Sequence, residues 1–333
     1  MRAIAVWAAV LAALVAVGCG EKSEKGRGEA DRFDLALDFY VNPDHAGIYT
    51  ALERGYFDEA GLDVRPQVPS DPSAPIKQVA AGRVDLAISY EPEVPIARDQ
   101  GLEVVAVGAL VQEPLTSLIS PGAAGIAEVS DLEGKTVATA GIPYQDTFLD
   151  AILDRERVPR DEVSVVDVGL NLLPAVISGR ADAMLGGFRN VEGVDLELRG
   201  EDPSVVPVDE LGIPTYDELV LVASEERLKQ DPEEIRLFLA ALERGTKLAA
   251  RDPQLATDAV LEAGDGLDPR LTGAEIDATL PLLLPPKGED FGYMDPKEWE
   301  RFAGFMADQG AAEVRYRASE LLTNAYLPGE IPD

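Results

Sequence analysis

The sequence of 333 residues contains a single cysteine and a single histidine. A disulfide within the chain is therefore impossible, and a zinc site built from cysteine and histidine ligands is excluded. A glycine-rich phosphate loop and the G-x-S-x-G motif are also absent from the sequence. His45 could act as a general base, but no pattern around it indicates a catalytic triad. Nothing in the sequence requires catalysis, a metal or a cofactor, and we predict none of them.

Positive charge is scarce, because 29 lysine and arginine residues stand against 61 aspartate and glutamate residues. The net charge of −32 disfavours nucleic acid or an anionic membrane surface as an electrostatic partner. Hydrophobic residues make up 46% of the chain, which suffices for sizeable cores and argues against global disorder. The length suits about two domains.

The amino terminus has a basic start, a short apolar run and small residues before Cys19, which is typical of an export signal. The run is too short for a comfortable membrane span. Ala16-Val17-Gly18-Cys19 resembles a bacterial lipobox, with alanine where leucine is usual. We predict a lipoprotein signal peptide at 1–19, a lipidated Cys19 and a flexible tether at 20–31. The protein would then be exported and lipid-anchored on the outer face of the cytoplasmic membrane, or periplasmic. The alternatives are an ordinary signal peptide or a buried cysteine.

Short β-type runs alternate with helical segments through the first two thirds of the chain, and helices dominate after residue 224. This alternation predicts an α/β fold with mainly parallel sheets flanked by helices. The apolar run at 104–110 predicts a central strand that is buried on both faces.

A short internal sequence repeat indicates two similar lobes. Residues 79–87 and 176–184 share valine, glycine, arginine and aspartate at matching positions, 97 residues apart. In both copies a helix stops at the glycine and a strand follows. We predict that lobe 1 comprises 32–115 plus 217–333 and that lobe 2 comprises 116–216. The two crossings, near Leu115 and Tyr216, would form a hinge that closes on a ligand.

Aromatic residues recur beside amides or carboxylates at four predicted strand ends, where open α/β sheets bind ligands. The first of these ends leads through the turn Asn42-Pro43-Asp44 into a helix. Such a set suits a flat, uncharged or weakly basic ring, which aromatics sandwich while carboxylates and amides accept from its exocyclic amine. The alternative is ordinary packing in the core. The predicted ligand-binding residues are Phe39, Tyr40, Asn42, His45, Tyr90, Glu91, Tyr144, Phe188, Asn190 and Glu192.

Three motifs resemble the thiamine-pyrimidine-precursor binding proteins of bacterial ABC importers: NPDHAGIY from Asn42, GYFDEAGLDV from Gly55 and ISYEPE from Ile88. The resemblance implies a two-lobed periplasmic-binding-protein fold of type II. It also implies a monomer that delivers a hydroxymethyl- or formylaminomethyl-aminopyrimidine to an ABC permease and its ATPase.

The resemblance further implies roles for single residues. Phe39 replaces the tryptophan that follows the first-strand aspartate in this family, and Phe188 stands where a second stacking aromatic is expected. Asn190 and Glu192 match the positions that would contact the aminopyrimidine edge.

Two alternatives share the fold. Fungal thiamine-pyrimidine synthases use a lysine for pyridoxal phosphate and a histidine in the stretch that here holds Ser89 and Glu93, and their cysteine-rich motif is absent from this sequence. Binders of taurine, sulfonate or nitrate need basic or hydroxyl groups, whereas the candidate loops here are aromatic and acidic. The sequence therefore favours binding of a pyrimidine without catalysis.

Overall fold

The computed structural model describes residues 30–285 and 289–329. The predicted signal peptide, Cys19 and all but the end of the tether lie outside these ranges. Within them, ten strands form two five-stranded sheets. The strands are β1 (Asp31–Ala36), β2 (Leu62–Gln67), β3 (Leu86–Ser89), β4 (Val104–Val111), β5 (Thr116–Ser120), β6 (Thr136–Thr139), β7 (Ser164–Asp167), β8 (Ala183–Phe188), β9 (Ser204–Pro207) and β10 (Leu219–Ser224).

Helices cover the faces of both sheets and make up most of the carboxyl-terminal third of the described chain. They are α1 (Ala46–Glu53), α2 (Tyr56–Glu59), α3 (Pro75–Ala80), α4 (Glu93–Asp99), α5 (Pro143–Glu156), α6 (Leu172–Ile177), α7 (Glu192–Arg199), α8 (Glu225–Gln230), α9 (Pro232–Arg251), α10 (Pro253–Ala263), α11 (Pro269–Thr279), α12 (Pro296–Asp308) and α13 (Ala318–Leu321).

The two sheets have the same topology. Sheet A has the order β2-β1-β3-β10-β4, and sheet B has the order β7-β6-β8-β5-β9. In each sheet four strands run in one direction, and only the fourth in the order, β10 or β5, is antiparallel to its neighbours. The predicted α/β class with two mainly parallel sheets is confirmed. We call the part that carries sheet A lobe 1 and the part that carries sheet B lobe 2.

The short internal repeat in the sequence corresponds to a repeated structural unit. Gly82 and Gly179 adopt positive φ angles of 63° and 71° after α3 and α6, and β3 and β8 then take the same place in their sheets. Asp85 accepts a backbone N–H of β1 at 2.7 Å, and Asp182 accepts a backbone N–H of β6 at 2.8 Å. Each aspartate thus ties its strand to the neighbouring one.

The apolar run of β4 predicted a central strand, and this is wrong. β4 lies at an edge of sheet A. All eight of its residues are buried nevertheless. The carboxyl-terminal segment covers the edge: the Ala109 N–H donates to the Gly292 carbonyl at 2.9 Å, and the Thr323 N–H donates to the Ala106 carbonyl at 2.8 Å. An apolar run predicts that a strand is buried but not its place in the sheet. Here the carboxyl-terminal segment buries an edge strand.

Several element bounds differ from the sequence predictions. The sequence predicts a helix over 273–284, whereas α11 begins at Pro269. Asp268 caps it by accepting the Leu271 N–H at 2.9 Å. This Asp-Pro start was visible in the sequence and has the same form as the starts of α9 and α10. Helix α7 and strand β9 were not predicted, because their charged or short segments lack a clear period.

The chain passes between the sheets twice, and one carboxylate joins the two passages. Glu218, just before β10, accepts the backbone N–H groups of Leu115 and Thr116 at 2.7 Å each. It also accepts the hydroxyl groups of Thr116 and Tyr216, both at 2.9 Å. The Glu218 side chain is fully buried. The four bonds satisfy it and hold both crossings together at a single point.

We expect Glu218→Gln to lower the free energy of unfolding by roughly 2–3 kcal/mol, because an amide oxygen cannot satisfy all four donors and the amide nitrogen opposes them. Denaturant unfolding of the described domain measures this change. Glu210→Gln, at an exposed position near the same crossing, is the matched control and should shift stability by less than about 0.5 kcal/mol. Equal stability of the two variants would contradict the role of Glu218.

Candidate functional site

A cavity lies between the lobes, at the ends of β1, β3, β6 and β8. Five of its lining residues come from lobe 1 and nine from lobe 2. The lobe 1 residues are Asp38, Phe39, Tyr40, Asn42 and Tyr90. The lobe 2 residues are Ala140, Ile142, Tyr144, Gln145, Leu172, Gly186, Phe188, Val191 and Glu192.

Seven of the ten predicted site residues line this cavity. They are Phe39, Tyr40, Asn42, Tyr90, Tyr144, Phe188 and Glu192. His45, Glu91 and Asn190 do not line it. Each of these three is buried and makes polar contacts elsewhere, as described below.

The turn after β1 holds Phe39 and Tyr40 at the cavity through local hydrogen bonds. The Asn42 side-chain oxygen accepts the Asp44 N–H at 2.8 Å, and the Asn42 amide donates to the Tyr40 carbonyl at 3.1 Å. Pro43 occupies the first position of the following 3-10 turn, where its missing N–H costs nothing. The rings of Phe39 and Tyr40 pack together at 4.6 Å between centroids. Local sequence alone therefore determines this corner.

Asp38 lines the cavity and was missed in the sequence analysis. One carboxylate oxygen lies 2.8 Å from His45 Nε2, and the other accepts the Tyr90 hydroxyl at 3.0 Å. His45 Nδ1 accepts the Asn42 N–H at 3.3 Å, so Nε2 carries the proton that goes to Asp38. His45 thus orients an acid at the cavity and has no contact with the cavity itself. The signal in the sequence was an acid directly after the apolar run of the first strand.

Glu192 connects the two sides of the cavity. One of its oxygens accepts the Phe188 N–H at 2.8 Å within lobe 2. The other lies 3.5 Å from the Tyr40 hydroxyl of lobe 1, at the limit of a hydrogen bond. Burial raises the pKa of Glu192, and the bond from Phe188 opposes that rise.

Asn190 joins the lobes behind the cavity. Its amide donates to the Asp44 carboxyl and to the Thr279 hydroxyl, both at 2.8 Å. Asp44 and Thr279 lie on the side of lobe 1, whereas Asn190 follows β8 of lobe 2. The sequence placed Asn190 at the ligand because strand ends meet there, but its amide reaches across the interface between the lobes.

Glu91 belongs to the crossing region. It accepts the Asp217 N–H at 2.7 Å, and Asp217 in turn accepts the Trp299 indole N–H at 2.7 Å. Glu91 therefore contacts Asp217, which is adjacent to Glu218 in the second crossing. Glu91, predicted as a ligand contact, therefore bonds to the second crossing instead of lining the cavity.

Two further lining residues fit closely against each other. The Gln145 side-chain oxygen accepts the Ala140 N–H at 2.8 Å. Gly186 has φ 109°, and a Cβ at this position would lie 2.1 Å from Gln145 Nε2. Glycine is therefore required here for both conformation and space. The pair Gly186-Gly187 at a strand end was the sequence signal for this close approach.

The charge character of the cavity is acidic. Its two ionisable carboxylates are Asp38 and Glu192, and none of the fourteen lining residues is lysine, arginine or histidine. Five of the lining side chains are aromatic.

No cluster of His, Cys, Asp and Glu that could hold a metal ion occurs within 30–285 and 289–329. Over the same ranges, no helix has the length and apolar character needed to span a membrane.

The two lobes, the double crossing and the cavity between them define the periplasmic-binding-protein fold. The solved structure of the alkanesulfonate-binding protein SsuA from Xanthomonas axonopodis pv. citri, bound to MOPS, matches with a TM-score of 0.70, covering 89% of this chain and 99% of that chain. Its sequence identity of 15% shows likeness of fold alone.

The chain belongs to the NMT1/THI5-like family, whose family model matches residues 42–256. A formylaminopyrimidine-binding protein of Halalkalibacterium halodurans is 31% identical over 310 residues, which cover 92% of this chain and 94% of the relative. A 4-amino-5-hydroxymethyl-2-methylpyrimidine phosphate synthase of Aspergillus parasiticus is 27% identical over 237 residues, or 68% of this chain and 69% of that protein. The family resemblance found in the sequence is thereby confirmed.

The raised pKa values of four buried acids make the free energy of unfolding depend on pH. Burial raises the pKa of Asp44 and Glu275 to about 8, and of Glu93 and Asp217 to about 7. In the unfolded chain these groups titrate near pH 4. Between pH 4 and 8 the folded state therefore binds more protons, and the free energy of unfolding falls as pH rises through this window. Denaturant unfolding at pH 5.5 and pH 8.5 should show higher stability at the lower pH.

Asp44→Asn isolates one of these groups, because asparagine can still accept from Asn190. The variant should show a shallower loss of stability with pH than wild type, by up to about 1.4 kcal/mol per pH unit below pH 8. Asp265→Asn, at an exposed position, is the control and should keep the wild-type slope. A slope for Asp44→Asn identical to that of wild type would show that Asp44 is ionised in the fold.

Proposed function

We propose that this protein captures an aminopyrimidine precursor of thiamine between its lobes as the substrate-binding component of an importer. The observation that carries the proposal is the cavity lining of five aromatic side chains and two buried carboxylates without a cation. A flat ring with an exocyclic amine matches this lining, since aromatics contact its faces and carboxylates accept from its N–H groups. The name of the H. halodurans relative supports the same ligand class.

Phe39 and Phe188 are the proposed stacking residues, and they come from opposite lobes. Phe39 remains partly exposed, whereas Phe188 is 8% exposed. Glu192 is proposed to accept from the exocyclic amine, since its carboxylate already lies between Tyr40 and Phe188. Asp38 provides a second acceptor, oriented by His45 and Tyr90.

Closure about the crossings is proposed to couple binding to transport. The ring would join the two lobes through Phe39 and Phe188, and the contacts of Asn190 to Asp44 and Thr279 would form in the same step. An ABC permease with its ATPase would recognise the closed monomer and accept the ligand. The predicted signal peptide and Cys19 would place the protein outside the cytoplasm, anchored to the membrane by lipid.

The alternatives fit the geometry less well. An oxyanion such as a sulfonate would meet Asp38 and Glu192 without a compensating cation in the lining. At the positions that the synthase resemblance assigns to lysine and histidine, the Ser89 hydroxyl donates to Glu93 at 2.7 Å, and both residues are buried. These residues do not fit pyridoxal phosphate, which supports binding without catalysis.

Calorimetric titration with hydroxymethyl- and formylaminomethyl-aminopyrimidine tests the proposal, with taurine as comparator. We expect a Kd of about micromolar or tighter for one pyrimidine and no heat from taurine. Phe39→Ala and Glu192→Gln should each weaken binding roughly tenfold or more, through lost stacking and a lost charged acceptor. Glu93→Gln changes a buried carboxylate outside the cavity and should alter Kd by less than about threefold.

Two outcomes of this titration would contradict the proposal. If neither pyrimidine binds, the proposed ligand class is wrong and only the assignment of the fold remains. Equal, small effects of Glu192→Gln and Glu93→Gln would remove the role of Glu192 at the amine.

The lipid anchor is tested separately in the native host or a bacterial host that processes lipoproteins. Cys19→Ser should release the protein from the membrane fraction, because serine lacks the thiol that receives the lipid. The measurement is the distribution of the protein between membrane and soluble fractions, with a tether variant, Ser23→Ala, as control. Retention of Cys19→Ser in the membrane fraction would refute lipidation.

A further inference from the structure

Two buried oxygens at the contact between the lobes have no hydrogen-bond donor. They are Asp44 Oδ2 and Asn190 Oδ1, for which the described residues 30–285 and 289–329 supply no partner. Their side chains already meet, because Asn190 Nδ2 donates to Asp44 Oδ1 at 2.8 Å. Each of the two residues is 3–5% or less exposed and lies in the interior. Buried acceptors without a donor are rare and costly, so this contact calls for one further donor.

A single proton on Asp44 satisfies both oxygens. A neutral carboxyl group carries an O–H donor beside its carbonyl oxygen, and a primary amide carries an N–H donor beside its own. The two groups can pair through two parallel hydrogen bonds, from Asn190 Nδ2 to Asp44 Oδ1 and from Asp44 Oδ2 to Asn190 Oδ1. The second N–H of Asn190 remains bonded to the Thr279 hydroxyl at 2.8 Å. A water molecule donating to the same oxygens would leave a buried carboxylate without a cation.

The surroundings of Asp44 also favour its neutral form. Burial raises the pKa of Asp44 to about 8, although the bond from Asn190 opposes the rise. His45 of the same turn is hydrogen-bonded to Asp38 and gives Asp44 no counter-charge. The acids that act on Asp44 through space are Asp38, Glu192 and Glu218, and Glu275 of α11 is a fourth. The remaining charged residues of the helices packed against the turn, α1, α10 and α11, are exposed: Glu53, Asp258, Glu262, Arg270 and Asp277.

We propose that protonated Asp44 and Asn190 form a latch that holds the lobes closed and that opens when Asp44 loses its proton. Asp44 precedes α1 of lobe 1, whereas Asn190 follows β8 of lobe 2, so their paired bonds join the lobes directly. The latch rests on the closure included in the proposed function and not on the identity of the ligand.

The direction of the pH dependence follows from the two states of Asp44. In the open form water solvates both side chains, and the pKa of Asp44 returns to about 4. In the closed form it is about 8. Closure between these pH values takes a proton from the solvent onto Asp44 Oδ2. The closed form is therefore favoured at the acidic end of this window and loses its advantage as pH rises through 8.

Small-angle X-ray scattering tests the latch without a ligand, on the chain from Gly20 onward, which includes every described residue. The radius of gyration of wild type should be larger at pH 8.5 than at pH 6. Asp44→Asn supplies an N–H donor in place of the O–H and needs no proton, so this variant should keep the compact radius at both pH values. Asn190→Ala removes the partner and should show the expanded radius already at pH 6.

Asp277→Asn removes one acidic charge at an exposed position of α11 and is the matched control. It should expand with pH as wild type does. A wild-type radius that is the same at pH 6 and pH 8.5 overturns the latch. So does an Asp44→Asn variant that expands with wild type, or an Asn190→Ala variant that stays compact at pH 6.

Titration with the two pyrimidines named above gives a second measure. If the ligand binds the closed form, the wild-type Kd should rise by about tenfold between pH 6 and pH 8.5, and the rise in Asp44→Asn should be about threefold or less. Equal rises in the two proteins contradict the latch. If neither pyrimidine binds, the proposed ligand class is wrong, and the scattering data decide on the latch independently.

Discussion

The hydrogen bonds of Glu218 are the constraint on which the two-lobed arrangement depends. The carboxylate belongs to the second crossing and binds the backbone of the first, more than 100 residues away in sequence. Both connections are thereby held at one buried point while the sheets on either side remain separate units. Glu91 and Asp217 extend the same polar core toward Trp299. These bonds join the two passages between the sheets.

Buried acids without a neighbouring lysine or arginine lie along the interface between the lobes and give it an acidic character. Asp38, Asp44, Glu192 and Glu275 are all buried near the interface between the lobes, and His45 is hydrogen-bonded to Asp38. Burial raises the pKa of Asp44, Glu192 and Glu275, because taking their charged forms out of water costs desolvation energy. The same arrangement favours ligands that donate protons or carry positive charge.

The polar groups at the interface between the lobes divide into those that face the cavity and those that support them. Asp38 and Glu192 line the cavity. His45 and Asn190 do not line it, and they hydrogen-bond to Asp38 and Asp44 respectively. This division explains why an amide and an imidazole that fit a ligand site by type are buried away from it. Their contacts select the geometry of the site and of the closed lobes.

The sequence by itself determined the strand-turn-helix corner at Asn42-Pro43-Asp44, the repeated Gly-Arg unit and the aromatic strand ends. These features depend on capping, proline geometry and glycine conformations, which act between neighbouring residues. Only the tertiary structure decided that β4 lies at a covered edge, that Asp38 faces the cavity and that Asn190 and Glu91 do not. A buried carboxylate or amide has the same local sequence whether its partner is a ligand or a backbone group. Asn190 and Asp44, like Glu91 and Asp217, lie more than 100 residues apart, so the packing of the lobes decides whether they meet.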